Sequence, residues 1–247
     1  MKNIRLLITT DIKNNFSKKS VAIISYCMTL FLAVGLIALF TVLLINPELE
    51  KISPDRAKLD IYFAVILFSV SLLGLGVNLN SLGFFSMAKE KSRGNIQSLL
   101  ATKLELKDIW IGKSLAIFIP GLISGEVLTL VTLMALNYIY FVPTIGFLFN
   151  PWVAITSFIV FPVMYLLLGL LVYLIGLIGK PVNANIIAQI FLPLFINVVI
   201  QLLLHADFMD FTSWPFVLAN IGVTFVIAII VVILQSRISK EKVVLSY

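Results

Sequence analysis

Long apolar runs separated by short polar segments make up most of the chain. Six of these runs reach the length of about 20 residues that a helix needs to cross the hydrocarbon core of a bilayer. None of the six contains an aspartate, a lysine or an arginine. We therefore predict an all-α integral membrane protein with six transmembrane helices in a single domain, 1–247. The predicted spans are residues 21–45, 61–85, 114–141, 152–178, 184–204 and 215–235.

Ahead of the first span, the apolar side chains of residues 1–20 recur at helical spacing. The stripe consists of Ile4, Leu7, Ile8, Ile12 and Phe16, and most of the basic residues lie elsewhere on the helical wheel. We predict an N-terminal amphipathic helix in the membrane interface, with its apolar face toward the acyl chains and its lysines toward the headgroups. A frayed basic tail is the alternative.

The basic residues are distributed unequally over the connecting segments. Fifteen of the eighteen lysines and arginines fall on one side of the predicted spans, and only Lys51, Arg56 and Lys58 fall on the other. Because basic loops stay on the cytoplasmic side, both termini are expected in the cytoplasm of a multi-pass protein of the cell membrane. The same bias accounts for the net charge of +6, so nucleic acid is not expected as a partner.

Composition agrees with a membrane environment and narrows the chemistry. Of the 247 residues, 60% are hydrophobic and 12% are charged, whereas a soluble domain has about 25% charged residues. Membrane lipid is therefore the expected solvent for most of the chain. One cysteine, Cys27, and one histidine, His205, leave no disulfide, no zinc cluster and no histidine-based metal site. We expect no catalytic residues, no metal and no cofactor bound by this chain, which is not predicted to be an enzyme.

The longest polar segment, residues 86–113, connects the second and third predicted spans. In it, Ile96, Leu99 and Leu100 form an apolar stripe on a short helix that begins after Gly94. A second short amphipathic helix is predicted from Leu104, Leu106, Ile109 and Trp110. Stripes exposed at the cytoplasmic surface can be buried against the inner leaflet, the ends of the spans or a partner protein. The alternative is a charged connecting loop that lies on the headgroups.

A second pattern in this segment is one of individual residues at fixed spacing. It comprises Glu90, Gly94, Leu99-Leu100-Ala101-Thr102, Asp108-Ile109 and, at the start of the third span, Gly112-Lys113. These residues resemble the loop after the second span in the ABC type-2 transporter permease family. The chain departs from the family pattern at Ser92, Asn95, Gln97 and Lys103, where the family has glutamate, threonine, an acidic residue and proline. The resemblance extends to the length near 250 residues, the six spans and the cytoplasmic termini.

The resemblance implies the membrane-spanning subunit of an ATP-driven exporter. In that family this loop forms a coupling helix that docks in a groove of a separate ATPase. A homo- or heterodimer of permeases works with two copies of the ATPase, and ATP-Mg is used by that partner subunit. The chain itself has no G-x-x-x-x-G-K-[ST] motif. The ATPase-coupling candidates are therefore Glu90, Arg93, Gly94, Ile96, Leu99 and Leu100, with apolar side chains for affinity and charges for register.

Glu126 is the only acid within the predicted spans. Because a charge at this depth costs a few kcal/mol, we expect Glu126 to face the bundle or water. It lies beside Gly121 and Gly125, whose spacing allows close approach of another helix. A protonated glutamate bonded to a neighbouring helix is the alternative to a translocation-path or cation site. If Glu126 couples transport to an ion gradient, the chain is instead a secondary transporter or a channel. Other path candidates, for which interhelical hydrogen bonding is the alternative, are Asn78, Asn80, Asn197 and Gln201.

Overall fold

The computed structural model describes residues 2–17, 19–78, 90–91, 93–102, 104–179 and 210–245, and every regular element in these ranges is a helix. We number the helices in chain order. They are α1 (Lys2–Ser17), α2 (Lys19–Phe40, extended by the π-helical turn Thr41–Ile45 and by Asn46–Leu49), α3 (Arg56–Asn78), α4 (Asn95–Leu100), α5 (Leu106–Leu136, extended by the π-helical turn Asn137–Phe141), α6 (Pro151–Ile155, the π-helical turn Thr156–Val160 and Phe161–Ile178), α7 (Trp214–Ser236) and α8 (Lys240–Leu245).

Five of the described helices are long and apolar enough to cross a bilayer, so the chain is a multi-pass membrane protein. These spans are Tyr26–Leu49, Arg56–Gly76, Leu106–Phe141, Pro151–Ile178 and Trp214–Ser236. They correspond to the runs predicted at 21–45, 61–85, 114–141, 152–178 and 215–235. The run at 184–204 lies outside the described residues, and the sixth span stays a prediction.

The spans differ in how much of their surface the bundle covers. In its most apolar window α3 is 78% buried, whereas α7 is 11% buried. Helices α2, α5 and α6 contact α3, and α7 packs on α6. Large apolar side chains consequently remain on the outer faces, such as Phe31 on α2 and Phe225 on α7, which are 78% and 66% exposed. Apolar surface of this extent is suited to lipid as the solvent.

The segment 86–113 differs in one respect from the sequence expectation. The first short helix is confirmed as α4, but the second does not exist as a separate element. Helix α5 begins at Leu106 and runs without interruption to Leu136, so Trp110 belongs to the first turns of the third span. The carboxylate of Asp108 lies in the first turn of α5, where it interacts favourably with the helix dipole. The apolar stripe of residues 106–113 is therefore one side of the span itself.

The N-terminal residues do form a helix, and α1 packs extensively against α5. Leu7 is buried, and a Cβ placed on Gly112 would lie 2.7 Å from Leu7 Cδ2. Gly112 therefore provides the space that Leu7 occupies. The expectation that the apolar stripe of α1 faces the acyl chains is wrong for Leu7, because this side chain faces α5. Leu6, which is not in the stripe, is 70% exposed.

The close helix approach expected at Gly121 and Gly125 is confirmed, and each glycine has a different neighbour. A Cβ on Gly125 would lie 2.9 Å from Leu75 Cδ2 on α3, and a Cβ on Gly121 would lie 2.5 Å from Tyr165 Oη on α6. On the α3 side, a Cβ on Gly74 would lie 2.9 Å from Gly125 Cα. Helices α3 and α5 therefore meet backbone to backbone at Gly74 and Gly125.

We expect Gly74→Ala to destabilise the protein by about 1–3 kcal/mol, the usual cost of overpacking a close-packed interior. The added methyl group meets the backbone of α5, which cannot rotate aside as a side chain can. The measurement is the Tm of the purified variant. Gly35→Ala and Gly222→Ala are the controls, because a Cβ at either position has no atom within 4 Å. A Gly74→Ala protein as stable as these two would contradict the contact.

Candidate functional site

One end of the bundle carries a partly buried charged network centred on Lys113, which lies in the first turns of α5. Its Nζ lies 2.6 Å from Glu90 Oε2 and 3.0 Å from Asp11 Oδ2 on α1. Tyr173 on α6 donates from Oη to the same Glu90 oxygen at 3.5 Å. We call these four residues the Lys113 network. It joins α1, α5 and α6 to the beginning of the segment that leads into α4.

Burial makes the Lys113 network sensitive to the loss of any member. The exposed fraction is 5% for the Lys113 side chain, 13% for Asp11 and 23% for Glu90. At this burial the charges are weakly screened, and each needs its partner because an uncompensated charge cannot be well hydrated. One cation shared between two carboxylates also fixes the relative position of the elements that carry them.

Lys91 ties the same segment to the end of α6. Its side chain is fully buried, and its Nζ donates to the carbonyl oxygens of Leu177 at 2.9 Å, Gly176 at 3.2 Å and Gly179. These carbonyls are at the C-terminal end of α6, where the helix dipole favours a cation and where the last carbonyls of a helix have no intrahelical donor. Burial lowers the pKa of Lys91 to about 8, so the ammonium form still predominates at pH 7.

Gly94 makes the turn between Lys91 and α4. Its φ is +74°, a conformation that side chains with a Cβ rarely adopt, and its N–H donates to the Lys91 carbonyl at 3.0 Å. The glycine of the sequence pattern is thus required by the backbone. It directs α4 away from the anchored residues 90–91 within a single turn.

The sequence predicts an exposed apolar stripe on α4, but in the structure part of this stripe is buried. Ile96 is fully buried and belongs to an apolar cluster with Trp110 of α5 and Leu177 of α6, so its predicted exposure is wrong. Leu100 packs against the same cluster, and Leu99 is half-buried. The stripe turns inward because the ends of the chain's own spans offer it an apolar surface.

The outward face of this segment is consequently polar. Arg93, Asn95, Gln97 and Ser98 are exposed, whereas Ile96 is fully buried. A surface with one guanidinium and two amides beside the half-buried Leu99 can form hydrogen bonds and ion pairs with a partner, and it offers few apolar contacts.

Of the translocation-path candidates, the structure describes the side chain of Glu126 alone, and this side chain is not at the Lys113 end of the bundle. Glu126 is half-buried on α5, thirteen residues or about 20 Å along the helix from Lys113. Its carboxylate makes no hydrogen bond or ion pair with any residue of the described ranges. Asn78 is the last residue of α3, and its side chain is outside the description. Three further candidates, Asn80, Asn197 and Gln201, lie outside the described residues.

The ATPase-coupling candidates predicted from the sequence do not include Asp11, Lys91, Lys113 or Tyr173. For Asp11 a signal existed, because it is the only acid among the first 47 residues. Lys113 is part of the residue pattern quoted for the family resemblance, although it is not among the candidate site residues. Nothing in the local sequence predicts that Lys91 is buried whereas Arg93, two residues later, is exposed.

Comparison of the chain with protein-family models, with curated proteins and with solved structures finds no match in any of the three.

Proposed function

We propose that this chain is the membrane-spanning permease subunit of an ATP-driven exporter of the ABC type-2 kind, energised by a separate ATPase. Both termini and the Lys113 end of the bundle lie in the cytoplasm of a cell in whose plasma membrane the protein resides. Two permease subunits form the translocation path, and two ATPase subunits bind their cytoplasmic surface.

The observation that carries the proposal is the double anchoring of the segment ahead of α4. Lys91 holds it to the end of α6, and Glu90 holds it to Lys113 of α5 and, through that lysine, to α1. The residues quoted for the family resemblance, Glu90, Gly94 and Gly112-Lys113, are thus close together in space. An ordinary connecting loop needs no such attachment, whereas a segment that transmits force does.

The geometry suggests how force would travel. ATP binding would draw the two ATPases together and displace α4 through its polar outward face. Because Ile96 and Lys91 connect this segment to α6, and Glu90 connects it to α5, both spans would move with it. In this proposal α1 lies along the cytoplasmic interface and moves with α5, to which Asp11 and Leu7 attach it.

The clearest test changes the outward face and leaves the inward one intact. We expect the triple variant Arg93→Glu, Gln97→Lys, Leu99→Ser to lower ATPase binding by at least about tenfold, since central contacts at an interface are worth about 2 kcal/mol or more. The measurement is co-purification of an ATP-binding-cassette ATPase with the tagged permease from its host, together with ATP-dependent transport. Leu100 and Ile96 are not substituted, because both pack inside the chain.

The matched control is Lys240→Glu, an exposed charge reversal on α8 at the same end of the bundle. It should retain both the ATPase and transport. Full ATPase binding by the triple variant, with a normal Tm, would contradict the proposal. Transport that collapses on dissipating the proton gradient at constant ATP would instead favour the gradient-driven transporter or channel that uses Glu126.

A further inference from the structure

At the end of the bundle opposite Lys113 there is a second polar site, in a cavity of about 390 Å³. Its lining consists of Arg56, Ala57, Asp60, Leu148 and Phe149. The volume is within the range of pockets that bind small ligands. None of these residues takes part in the Lys113 network or in the apolar cluster around Ile96.

The cavity carries one charge of each sign, and the two charges do not neutralise each other. Arg56 and Asp60 are one helical turn apart on α3, yet no ion pair links them in the part of the chain described here. Asp60 Oδ2 accepts a hydrogen bond from Asn150 Nδ2 at 3.0 Å. Asp60 Oδ1 is buried and has no hydrogen-bond partner among the described residues, which is a costly condition for a carboxylate oxygen.

Arg56 is likewise available to a ligand. The N-terminal amides of α3 are already capped by Asp55, whose Oδ1 accepts from the N–H of Ala57 at 3.0 Å. The guanidinium is exposed and makes no hydrogen bond or ion pair with another described residue. A planar guanidinium with five donors is suited to bidentate binding of a phosphate.

A cavity with one positive and one negative side chain is suited to a zwitterionic ligand, and its position along the span indicates which kind. Arg56 is the first residue of a span, and the aromatic side chains at this end, Phe147, Phe149 and Trp152, are 43%, 59% and 42% exposed. Aromatic residues at the end of a span mark the level of the lipid headgroups. A ligand here would therefore present its charged part to Arg56 and Asp60 and its apolar part to Phe149.

We propose that this cavity binds an ethanolamine-phosphate headgroup, with the phosphate on Arg56 and the primary ammonium on Asp60. A short two-carbon spacer separates these groups, which suits two side chains that are neighbours on one face of a helix. The ammonium pairs with the Asp60 carboxylate, which forms no ion pair with any described residue. Choline cannot donate a hydrogen bond to this carboxylate, and glycerol-phosphate brings no cation to it.

Native mass spectrometry of the purified full chain with an equimolar mixture of phosphatidylethanolamine, phosphatidylcholine and phosphatidylglycerol tests the proposal. We expect about tenfold more bound phosphatidylethanolamine than either competitor, the effect of one charge-assisted hydrogen bond. Asp60→Asn should abolish the preference over phosphatidylglycerol, and Arg56→Gln should weaken the binding of both. Lys58→Gln, an exposed change two residues from both Arg56 and Asp60 and outside the cavity lining, should alter neither.

Soluble glycerophosphoethanolamine distinguishes the two sources of this headgroup. If it displaces the lipid at millimolar concentration, free ethanolamine-phosphate compounds also fit the site. If it does not, the acyl chains are needed and the ligand is the phospholipid. Equal binding of the three lipids to the unmodified protein would overturn the proposal, and so would binding of phosphatidylethanolamine that Arg56→Gln leaves unchanged. Arg56 is exposed, so this variant remains informative even if Asp60→Asn fails to fold.

Discussion

Replacing Lys113 by methionine is expected to destabilise the protein by about 3 kcal/mol, because it leaves two partly buried carboxylates without a cation. Asp11 and Glu90 would then repel each other at the junction of α1 and α5. A loss of this size corresponds to a fall in Tm of about 6–12 °C for a chain of this length. In the proposed exporter, transport should fall further than stability does, since Glu90 loses its attachment to α5.

The matched control is Lys107→Met, which removes an exposed lysine from the first turn of the same helix. It should change the free energy of unfolding by less than about 0.5 kcal/mol. Glu90→Gln added to Lys113→Met should restore part of the stability, because only one carboxylate then remains unpaired. The Lys113 network would be disproved as a stabilising element if Lys113→Met and Lys107→Met had equal Tm values.

The second large effect is expected from Lys91→Met, which removes the donor shared by three carbonyl groups at the end of α6. Hydrogen bonds from a charged group contribute about 1.5–3 kcal/mol, and the variant should be destabilised by about that amount at pH 7. Methionine has a similar shape and no donor, so the change tests the hydrogen bonds rather than the packing. Hydrogen exchange at the end of α6 should accelerate together with the fall in Tm.

The stability difference between the unmodified protein and Lys91→Met should depend on pH in a definite direction. The folded protein holds the pKa of Lys91 near 8, below the ordinary value of 10.5, because burial disfavours the charged form. Between pH 8 and 10.5 the unfolded chain therefore binds more protons than the folded one, and the contribution of Lys91 to stability rises with pH. Below pH 8 this contribution is constant. The Tm difference between the unmodified protein and Lys91→Met should thus widen from pH 7.5 to pH 9.5, and a narrowing would contradict the burial of the ammonium.

Much of the membrane bundle could be predicted from the sequence because apolar length alone decides whether a helix can cross a bilayer. The run predicted at 152–178 corresponds to the span Pro151–Ile178, and the run at 215–235 to Trp214–Ser236. The beginning of α5 was misplaced by eight residues for the same reason. Lys107 and Lys113 interrupt the apolar run, yet they do not interrupt the helix, since an exposed or paired lysine is compatible with helical structure.

The site was harder to predict because its residues are brought together by tertiary packing. Gly94 could be identified from a pattern, and the backbone confirms its special conformation. The inward direction of Ile96 depends on the ends of α5 and α6, which are close only in the folded chain. Lysine is a residue type usually found at the surface, and the burial of Lys91 and Lys113 follows from their partners on other helices.

The pairing of Asp11 with Lys113 has a consequence for the biosynthesis of the chain. The two residues are separated by 102 positions, so α1 leaves the ribosome long before its partner helix exists. At a synthesis rate of about 5–20 residues per second, this interval is about 5–20 s. During that time the newly made α1 lacks the helix against which it packs most extensively. The attachment of α1 is therefore a late event in assembly, one that occurs only after the third span has entered the membrane.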